Sequence, residues 1–283
     1  MLILDGKLVA EQRRLRLAER VHKFKASRGR PPGLVVVLVG DDPASQVYVA
    51  NKIKTCEKTG FYSHAEKLPA TISGPQLKAV IERLNADPKV DGMILQLPLP
   101  KHLNADELIE WISPDKDADC LTATNLGRLW SGRALTTPCT PWGVMAKLEH
   151  FKIAVAGKTA GGVGRSAIVG KPMAHLLVQA DATVTVCHSK TKNLSDHTRK
   201  AEIVVVAAGR PEFLGRGDFA PGAVVVDVGI HRREKDGKKS LCGDVRLGEI
   251  EDTIMAATPV PGGVGPMTIN MLLENTMILA EHH

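Results

Sequence analysis

The sequence predicts an α/β protein of two domains, each with a largely parallel sheet flanked by helices. The chain has 283 residues, which at roughly 150 residues per domain corresponds to two domains. Short apolar runs rich in β-branched residues alternate with amphipathic segments along the chain, and strands that alternate with helices form parallel sheets. Polar and turn-forming residues are concentrated between Ser113 and Thr140, so we expect the join between the domains there.

In the first half, a buried strand is expected at 34–39, because the run is continuously apolar and stops at Gly40. A helix follows, with Asp42 as its N-cap and Pro43 in its first position, and it ends at Gly60. The further elements expected in this half are a strand at 63–68, a helix at 76–84 and a strand at 92–97.

The second half repeats the alternation and ends with a helix at about 266–283. The strands expected here are 159–163, 183–187, 203–207 and 223–228, with helices between the first three. We expect residues 1–120 to form one domain and residues 121–283 the other, with the final helix packing back on the first domain.

The composition argues against several classes of protein. No apolar run reaches the roughly 18–20 residues of a membrane-spanning helix, and the N-terminus lacks a signal-peptide pattern. Five separated cysteines without a Cys-x-x-Cys pair are typical of reduced thiols in a cytoplasmic protein, and no ligand spacing predicts a metal site. The net charge of +6 fits an anionic partner, but the 4% aromatic content argues against nucleic acid. The terminal His282-His283 resembles the remnant of a purification tag and receives no role.

A glycine-rich turn after the strand at 159–163 is the candidate nucleotide site. Gly164 permits a tight turn into the next helix, and the N–H groups at a helix start suit a phosphate. An ordinary strand–helix connection explains the turn equally well. The next strand ends in His188-Ser189-Lys190-Thr191, without the carboxylate typical of NAD-selective sites. With Arg165, these groups favour the 2′-phosphate of NADP in a Rossmann-like domain, and solvated loop residues are the alternative.

Four residues of the first half are candidates for proton chemistry. Tyr48 and Lys52 lie four residues apart on the helix that begins at Pro43, so they share one face. Gln96 lies at the carboxyl end of a neighbouring strand, and Asp119 lies in a loop that can reach the same cleft. A lysine tuned by an amide, an aromatic platform and a carboxylate suit proton handling on a polar heterocycle. Each of these residues alone is more typical of a solvated or capping side chain.

Short motifs between residues 40 and 268 decide between these interpretations. They are Gly40-Asp41-Asp42-Pro43-Ala44-Ser45-Gln46-Val47-Tyr48-Val49-x-x-Lys52, Gln96-Leu97-Pro98-Leu99-Pro100, Lys116-Asp117-x-Asp119, Pro138-Cys139-Thr140-Pro141-x-Gly143, Gly164-Arg165-Ser166 with Ile168-Val169-Gly170-Lys171-Pro172, Asp227-Val228-Gly229-Ile230 and Pro259-Val260-Pro261-Gly262-Gly263-Val264-Gly265-Pro266-Met267-Thr268. In this order they resemble the bifunctional methylenetetrahydrofolate dehydrogenase/cyclohydrolase family, and the last motif is the most specific.

The resemblance implies a cytoplasmic homodimer that acts in one-carbon metabolism and purine biosynthesis. Its implied activity is NADP-dependent oxidation of 5,10-methylenetetrahydrofolate to 5,10-methenyltetrahydrofolate, followed by hydrolysis to 10-formyltetrahydrofolate. The chain departs from the family pattern at Cys120, where a glycine is usual, and at Gly161 and Gly162, where bulky β-branched residues are usual. We expect the first departure to alter the loop that holds Asp119 and the second to loosen a strand.

The resemblance also implies catalytic roles for the four candidates of the first half. Lys52 is the central group of the cyclohydrolase step, and Gln96 hydrogen-bonds it and tunes its protonation. Tyr48 packs on the aminobenzoyl ring of the folate, and Asp119 holds the pterin.

For the second half, the resemblance implies residues that bind the cofactor and the substrate. The NADP-binding residues are Gly164, Arg165, Ser166, Ser189 and Ile230. The residues bordering the cleft where folate and nicotinamide meet are Pro261, Gly262 and Gly263. Two alternatives are an NADP-dependent oxidoreductase of another small substrate and a non-catalytic protein that binds nucleotide or nucleic acid.

Overall fold

The structure is a computed structural model, which describes residues 1–235 and 238–282 and the side chains outside 235–239. His283, the last residue of the expected final helix, lies outside the described residues. In chain order the strands are β1 (Leu2–Ile3), β2 (Gly33–Val39), β3 (Tyr62–Leu68), β4 (Gly92–Leu95), β5 (Thr159–Val163), β6 (Thr183–Cys187), β7 (Ile203–Val206), β8 (Val224–Asp227), β9 (His231–Lys235), β10 (Lys238–Cys242) and β11 (Ala256–Ala257). The helices are α1 (Gly6–Arg28), α2 (Pro43–Thr59), α3 (Gly74–Ala86), α4 (Ala105–Ile109), α5 (Ala123–Trp130), α6 (Cys139–His150), α7 (Gly170–Gln179), α8 (Leu194–Thr198) and α9 (Gly265–His282). None of the described helices is long and apolar enough to cross a membrane.

Contacts between Cα atoms divide the described chain into two compact units. The small-sheet unit comprises residues 12–139 and 269–282, and the large-sheet unit comprises residues 1–11 and 140–268. The units therefore divide at 139/140, whereas the predicted domains divide at 120/121. Residues near 137 group with the small-sheet unit because the Asn275 amide donates to the carbonyls of both Ala118 and Thr137, at 2.8 Å each.

The small-sheet unit is built on three parallel strands in the order β3-β2-β4. The central strand β2 is buried along its whole length, which explains its continuously apolar sequence. The helix α2 starts as predicted, because the Asp42 carboxylate accepts a 2.7 Å hydrogen bond from the Ser45 N–H. It ends at Gly60, whose φ of +89° is the left-handed conformation that favours glycine at a helix end. This helix begins just beyond the carboxyl end of β2.

The large-sheet unit contains a parallel sheet in the order β1-β11-β8-β7-β5-β6. The strands β9 and β10, which follow β8 in sequence, pair antiparallel in a separate two-stranded sheet. The chain leaves β5 for β6 on one side and then returns to β7 on the other. The carboxyl ends of β5 and β7 therefore form a switch point, where sheets of this type bind ligands. The two sheets confirm the predicted α/β fold with a Rossmann-like second half.

The two strand glycines lie on β5, which is paired on both sides. Gly161 faces Thr185 and Val204, and Gly162 is paired in the same continuous register. A Cβ at Gly161 would lie 3.3 Å from the Ala201 Cβ, whereas one at Gly162 would have no heavy atom within 4 Å. The ladder is continuous through both glycines, and the expected loosening of the strand stays a prediction.

Candidate active site

The structure brings Lys52 and Gln96 together at the carboxyl end of the small sheet. The Lys52 side chain is 9% exposed, and its Nζ donates a 2.9 Å hydrogen bond to Gln96 Oε1. The Gln96 Nε2 in turn donates to the carbonyl of Leu97 at 2.6 Å. Because this second bond uses the NH₂ side of the amide, the oxygen of Gln96 is turned towards the lysine.

Burial lowers the pKa of Lys52, and the carboxylate of Asp119 acts in the opposite direction. The neutral form of the amine is therefore more populated than in an exposed lysine, and its lone pair can accept a proton. Tyr48 lies one helical turn before Lys52 and is 38% exposed, so its ring is open to a ligand. Lys52, its hydrogen-bond partner Gln96 and Tyr48 thus have the burial or exposure that proton chemistry on a bound ring requires.

The loop that carries Asp119 is organised around another carboxylate, that of Asp117. This buried group accepts hydrogen bonds from the N–H groups of Leu121 and Thr122, at 3.1 and 2.9 Å. It also accepts from the Thr122 hydroxyl at 2.8 Å and from the Asn125 amide at 3.1 Å. Asp117 is thus committed to folding the loop, while Asp119 is half-buried and can meet a ligand.

Cys120 has the left-handed conformation that a glycine would adopt without strain. Its φ is +57°, and for a residue with a Cβ this region costs about 1–2 kcal/mol. The thiol is buried and donates to the Thr136 carbonyl at 3.3 Å. The expected effect of Cys120 on the loop that holds Asp119 stays a prediction.

In the large-sheet unit, Gly164 lies at the switch point of the sheet. Its φ is +129°, and a Cβ there would lie 2.2 Å from the carbonyl oxygen of Ala207, which follows β7. Its N–H donates to the Cys187 carbonyl at the end of β6, at 2.9 Å. Only glycine allows this close approach of three strand ends, which leaves backbone rather than side chain facing the ligand position.

Ser166 has a local role that the sequence did not predict. Its Oγ accepts hydrogen bonds from the N–H groups of Val169 and Gly170, at 3.2 Å each, and so caps the start of α7. Two N–H groups that a phosphate was expected to use are therefore already satisfied. Ser166 and the neighbouring Arg165 are both exposed. Ser189, which follows β6, is exposed as well.

Ile230 is 47% exposed, and it follows a turn whose backbone is hydrogen-bonded to the Asp227 carboxylate. Asp227 accepts from the N–H groups of Gly229, Asp244 and Val245, at 2.9, 3.0 and 2.9 Å. Burial raises the pKa of Asp227 to about 6, against these hydrogen bonds. The exposed apolar side chain of Ile230 therefore lies next to a turn that these hydrogen bonds hold in place.

The turn at 259–263 contains two positions that only glycine fits. Gly262 has a φ of +104°, and a Cβ at Gly263 would lie 2.4 Å from the Pro259 carbonyl oxygen. Pro261 is exposed and Gly262 half-buried, whereas Gly263 is buried. The turn therefore presents backbone and one proline ring at the surface of its unit.

Two family models match the chain on either side of position 120–137. The model of the tetrahydrofolate dehydrogenase/cyclohydrolase catalytic domain matches residues 4–119, and that of the NAD(P)-binding domain matches residues 138–283. The chain belongs to the tetrahydrofolate dehydrogenase/cyclohydrolase family. This membership confirms the resemblance seen in the motifs and favours it over both alternatives.

Three relatives show how closely this family member follows others. The bifunctional protein FolD of Bdellovibrio bacteriovorus is 55% identical over 281 residues, which are 99% of this chain and 97% of that protein. The crystal structure of FolD from Campylobacter jejuni has a TM-score of 0.95 at 45% identity, over 100% of this chain and 99% of that one. The Trypanosoma brucei methylenetetrahydrofolate dehydrogenase-cyclohydrolase, solved with NADP and an inhibitor, has a TM-score of 0.95 at 36% identity, over 100% and 98% of the chains.

Two thiols near Lys52 in this family member were not predicted to belong to the site. Cys139 donates to the Ala118 carbonyl at 3.4 Å, and burial with the nearby Asp119 carboxylate raises its pKa. Cys56 lies one helical turn after Lys52, and burial raises its pKa to about 11. Both thiols are therefore neutral, and they surround the lysine without adding charge. The four-residue spacing from Lys52 was the sequence signal for Cys56.

The described residues contain no group of His, Cys, Asp or Glu side chains arranged to hold a metal ion. The observations on the large sheet fit the phosphates of a dinucleotide, since Gly164 leaves no room for a side chain and Arg165 supplies an exposed cation. Cations and hydroxyls, rather than a carboxylate, follow β6, which suits a 2′-phosphate.

Proposed function

We propose that the protein oxidises 5,10-methylenetetrahydrofolate with NADP⁺ and hydrolyses the product to 10-formyltetrahydrofolate. The observation that carries the proposal is the buried Lys52 amine, hydrogen-bonded to an amide that is itself turned by the Leu97 carbonyl. A desolvated lysine with a lowered pKa suits the addition of water to a cationic carbon, where a base must take a proton from the water.

In the hydrolytic step, water adds to the methenyl carbon that bridges the two nitrogens of the folate. The neutral amine of Lys52 takes the proton that this water loses, and Gln96 Oε1 holds the amine in place. The bond from this carbon to the ring nitrogen then breaks, and the hydroxyl proton is transferred to that nitrogen as the formyl group forms. One proton is released overall, and the bridging carbon remains on the other nitrogen.

The remaining side chains of the small-sheet unit bind and orient the substrate. The half-buried Asp119 accepts N–H donors of the pterin, and its loop is kept in place by Asp117. The exposed ring of Tyr48 stacks on the aminobenzoyl group. This arrangement places the bridging carbon near Lys52 and supplies the orientation on which the rate depends.

In the large-sheet unit, we propose that Gly164 and Ser166 hold the diphosphate of NADP. Arg165 and Ser189 bind its 2′-phosphate, and Ile230 packs against the nicotinamide. NADP⁺, when bound, supplies the acceptor for the hydride of the methylene group. We further propose that Pro261, Gly262 and Gly263 contact the substrate.

We also propose that the protein is a cytoplasmic homodimer that binds no nucleic acid. Each of its five cysteines is a buried free thiol, which suits a reducing compartment. The two anionic ligands, NADP and folate, account for a net charge of +6 without nucleic acid.

A two-wavelength assay tests the proposed function directly. Purified protein is mixed with 5,10-methylenetetrahydrofolate and NADP⁺, and NADPH formation and methenyl decay are followed together. We expect both signals, with a lower catalytic efficiency when NAD⁺ replaces NADP⁺. NADPH formation without methenyl decay would remove the cyclohydrolase activity from the proposal, and the absence of both would refute it.

A further inference from the structure

Lys147 is the largest fully buried side chain of the described residues, at 0% exposure. It lies on α6, where Val144 and Leu148 are buried as well. Lysine is among the residue types most rarely buried, because its charged form loses its hydration. The burial of this amine therefore requires an explanation other than core packing.

The amine of Lys147 is directed at the turn of residues 259–263. Its Nζ donates a 2.9 Å hydrogen bond to the carbonyl of Gly263, 116 residues away in the sequence. The other face of this carbonyl meets Gly6, where an added Cβ would lie 1.9 Å from the oxygen. The Gly263 carbonyl is thus enclosed between the start of α1 and the end of a buried lysine.

This contact adds a restraint to a turn that contains two consecutive glycines. Gly262 and Gly263 have no side chains to anchor them, and glycine loses more conformational freedom on folding than any other residue. The turn closes on itself through the Gly263 N–H, which donates to the Pro259 carbonyl at 2.8 Å. The hydrogen bond from Lys147 adds a fixed point on its buried side, while Pro261 stays exposed.

We propose that Lys147 is a positioning residue, which holds the Gly262–Gly263 backbone from beneath in the place where it contacts substrate. The proposal rests on the proposed function, which assigns substrate contact to this turn. Burial lowers the pKa of Lys147 to about 7, and Asp5 opposes this shift. Both the amine and the ammonium form donate to a carbonyl, so the hydrogen bond is made on either side of neutrality.

The test compares Lys147→Met with the wild-type protein in kinetics, stability and hydrogen exchange. Methionine is an unbranched apolar side chain one atom shorter than lysine, and it removes the donor. We expect the KM for 5,10-methylenetetrahydrofolate to rise about tenfold, the factor that one hydrogen bond of ~1.4 kcal/mol corresponds to, with a smaller change in kcat. The melting temperature should change little, because the gain from removing a buried amine opposes the cost of leaving the buried Gly263 carbonyl without this donor.

Amide exchange in the free protein separates this inference from the proposed function. We expect exchange in residues 259–264 to be faster in Lys147→Met than in wild type, whether or not folate is the substrate. Lys147→Gln, which retains an N–H donor, should restore part of the wild-type KM and exchange. Leu148→Met, at the adjacent buried position, should change neither.

Three results would overturn the inference. One is an unchanged KM and unchanged exchange in Lys147→Met. Another is a loss of stability with an unchanged KM, which would assign the amine a purely structural role. A Lys147→Met protein that does not fold would count against the inference in the same way. If wild-type protein lacks folate activity while exchange still responds to Lys147, the proposed function fails and the contact with the turn stands.

Discussion

Each unit of the protein contains a buried lysine, and the two differ in what surrounds the amine. Lys52 and Lys147 each donate one 2.9 Å hydrogen bond to a neutral oxygen, and burial lowers the pKa of both. Lys52 has the half-buried Asp119 nearby and the exposed Tyr48 one turn away. A substrate and water can therefore approach the residues around its amine. Lys147 is fully enclosed. We therefore expect a buried amine to serve proton transfer where it meets a ligand, and positioning where its hydrogen bond is made to a backbone carbonyl.

The largest expected effect separates the two lysines by the step that each controls. Lys52→Met should slow methenyl hydrolysis by about 10²–10⁴-fold, the range for loss of a general base, and slow hydride transfer less. A parallel assay of both steps on the purified variant measures this. Lys54→Met, an exposed lysine of the same helix, is the matched control. Near-wild-type hydrolysis by Lys52→Met would remove Lys52 from the reaction.

The second prediction concerns Arg165, an exposed cation of the large-sheet unit, in contrast to the buried Lys147 of the same unit. Arg165→Ala should raise the KM for NADP⁺ about tenfold or more, because a charge-assisted hydrogen bond to a phosphate is lost. The KM for NAD⁺, which lacks that phosphate, should change little. Steady-state kinetics with both cofactors provide the measurement. An equal rise for NAD⁺ would place Arg165 away from the 2′-phosphate.

The third prediction uses the pH dependence of stability. Above about pH 7 the folded protein holds Lys147 neutral while the unfolded chain, with its ordinary value of 10.5, still binds a proton. The free energy of unfolding therefore gains a contribution that rises with pH between these values. Lys147→Met removes this contribution, so the free energy of unfolding of the variant relative to wild type should be higher near pH 6 than near pH 9. Denaturant titrations of both proteins at the two pH values test this. A difference in the free energy of unfolding that does not vary with pH would contradict the lowered pKa of Lys147.

The smallest expected effect lies in the loop that serves Lys52. Cys120→Gly and Cys120→Ala both remove the buried thiol, but only glycine adopts a φ of +57° without strain. We expect the glycine variant to be more stable than the alanine variant by about 1 kcal/mol, measured by denaturant unfolding. A more stable alanine variant would show that the loop changes its conformation when the thiol is removed.

The sequence predicted the main elements of both sheets because their residues carry strong local signals. The β2 run is apolar throughout, and Asp42, Pro43 and Gly60 mark the ends of α2. It did not predict β1 and β11, since strands of two residues have no periodicity to detect. The helix α1 was also missed: Leu8 and Leu15 remain exposed on it, which weakens the pattern of a buried face.

For the site, sequence motifs located the residues but not the contacts between them. The family motifs include Lys52, Gln96 and Asp119, and the structure adds the orientation of the Gln96 amide by the Leu97 carbonyl. Lys147 was not predicted because a lysine within a helix is expected at the surface, and only the tertiary fold encloses it. Pairing between distant segments, such as Lys147 with Gly263, leaves no local signal in the sequence.

The capping of α7 by Ser166 makes the start of that helix a natural reporter of cofactor occupancy. The hydroxyl accepts hydrogen bonds from the N–H groups of Val169 and Gly170, and as a hydroxyl it still has one proton to donate to a ligand. A phosphate that accepts this proton would polarise the oxygen and strengthen both of the hydrogen bonds that it accepts. The amide resonances of Val169 and Gly170 should therefore shift when the cofactor binds.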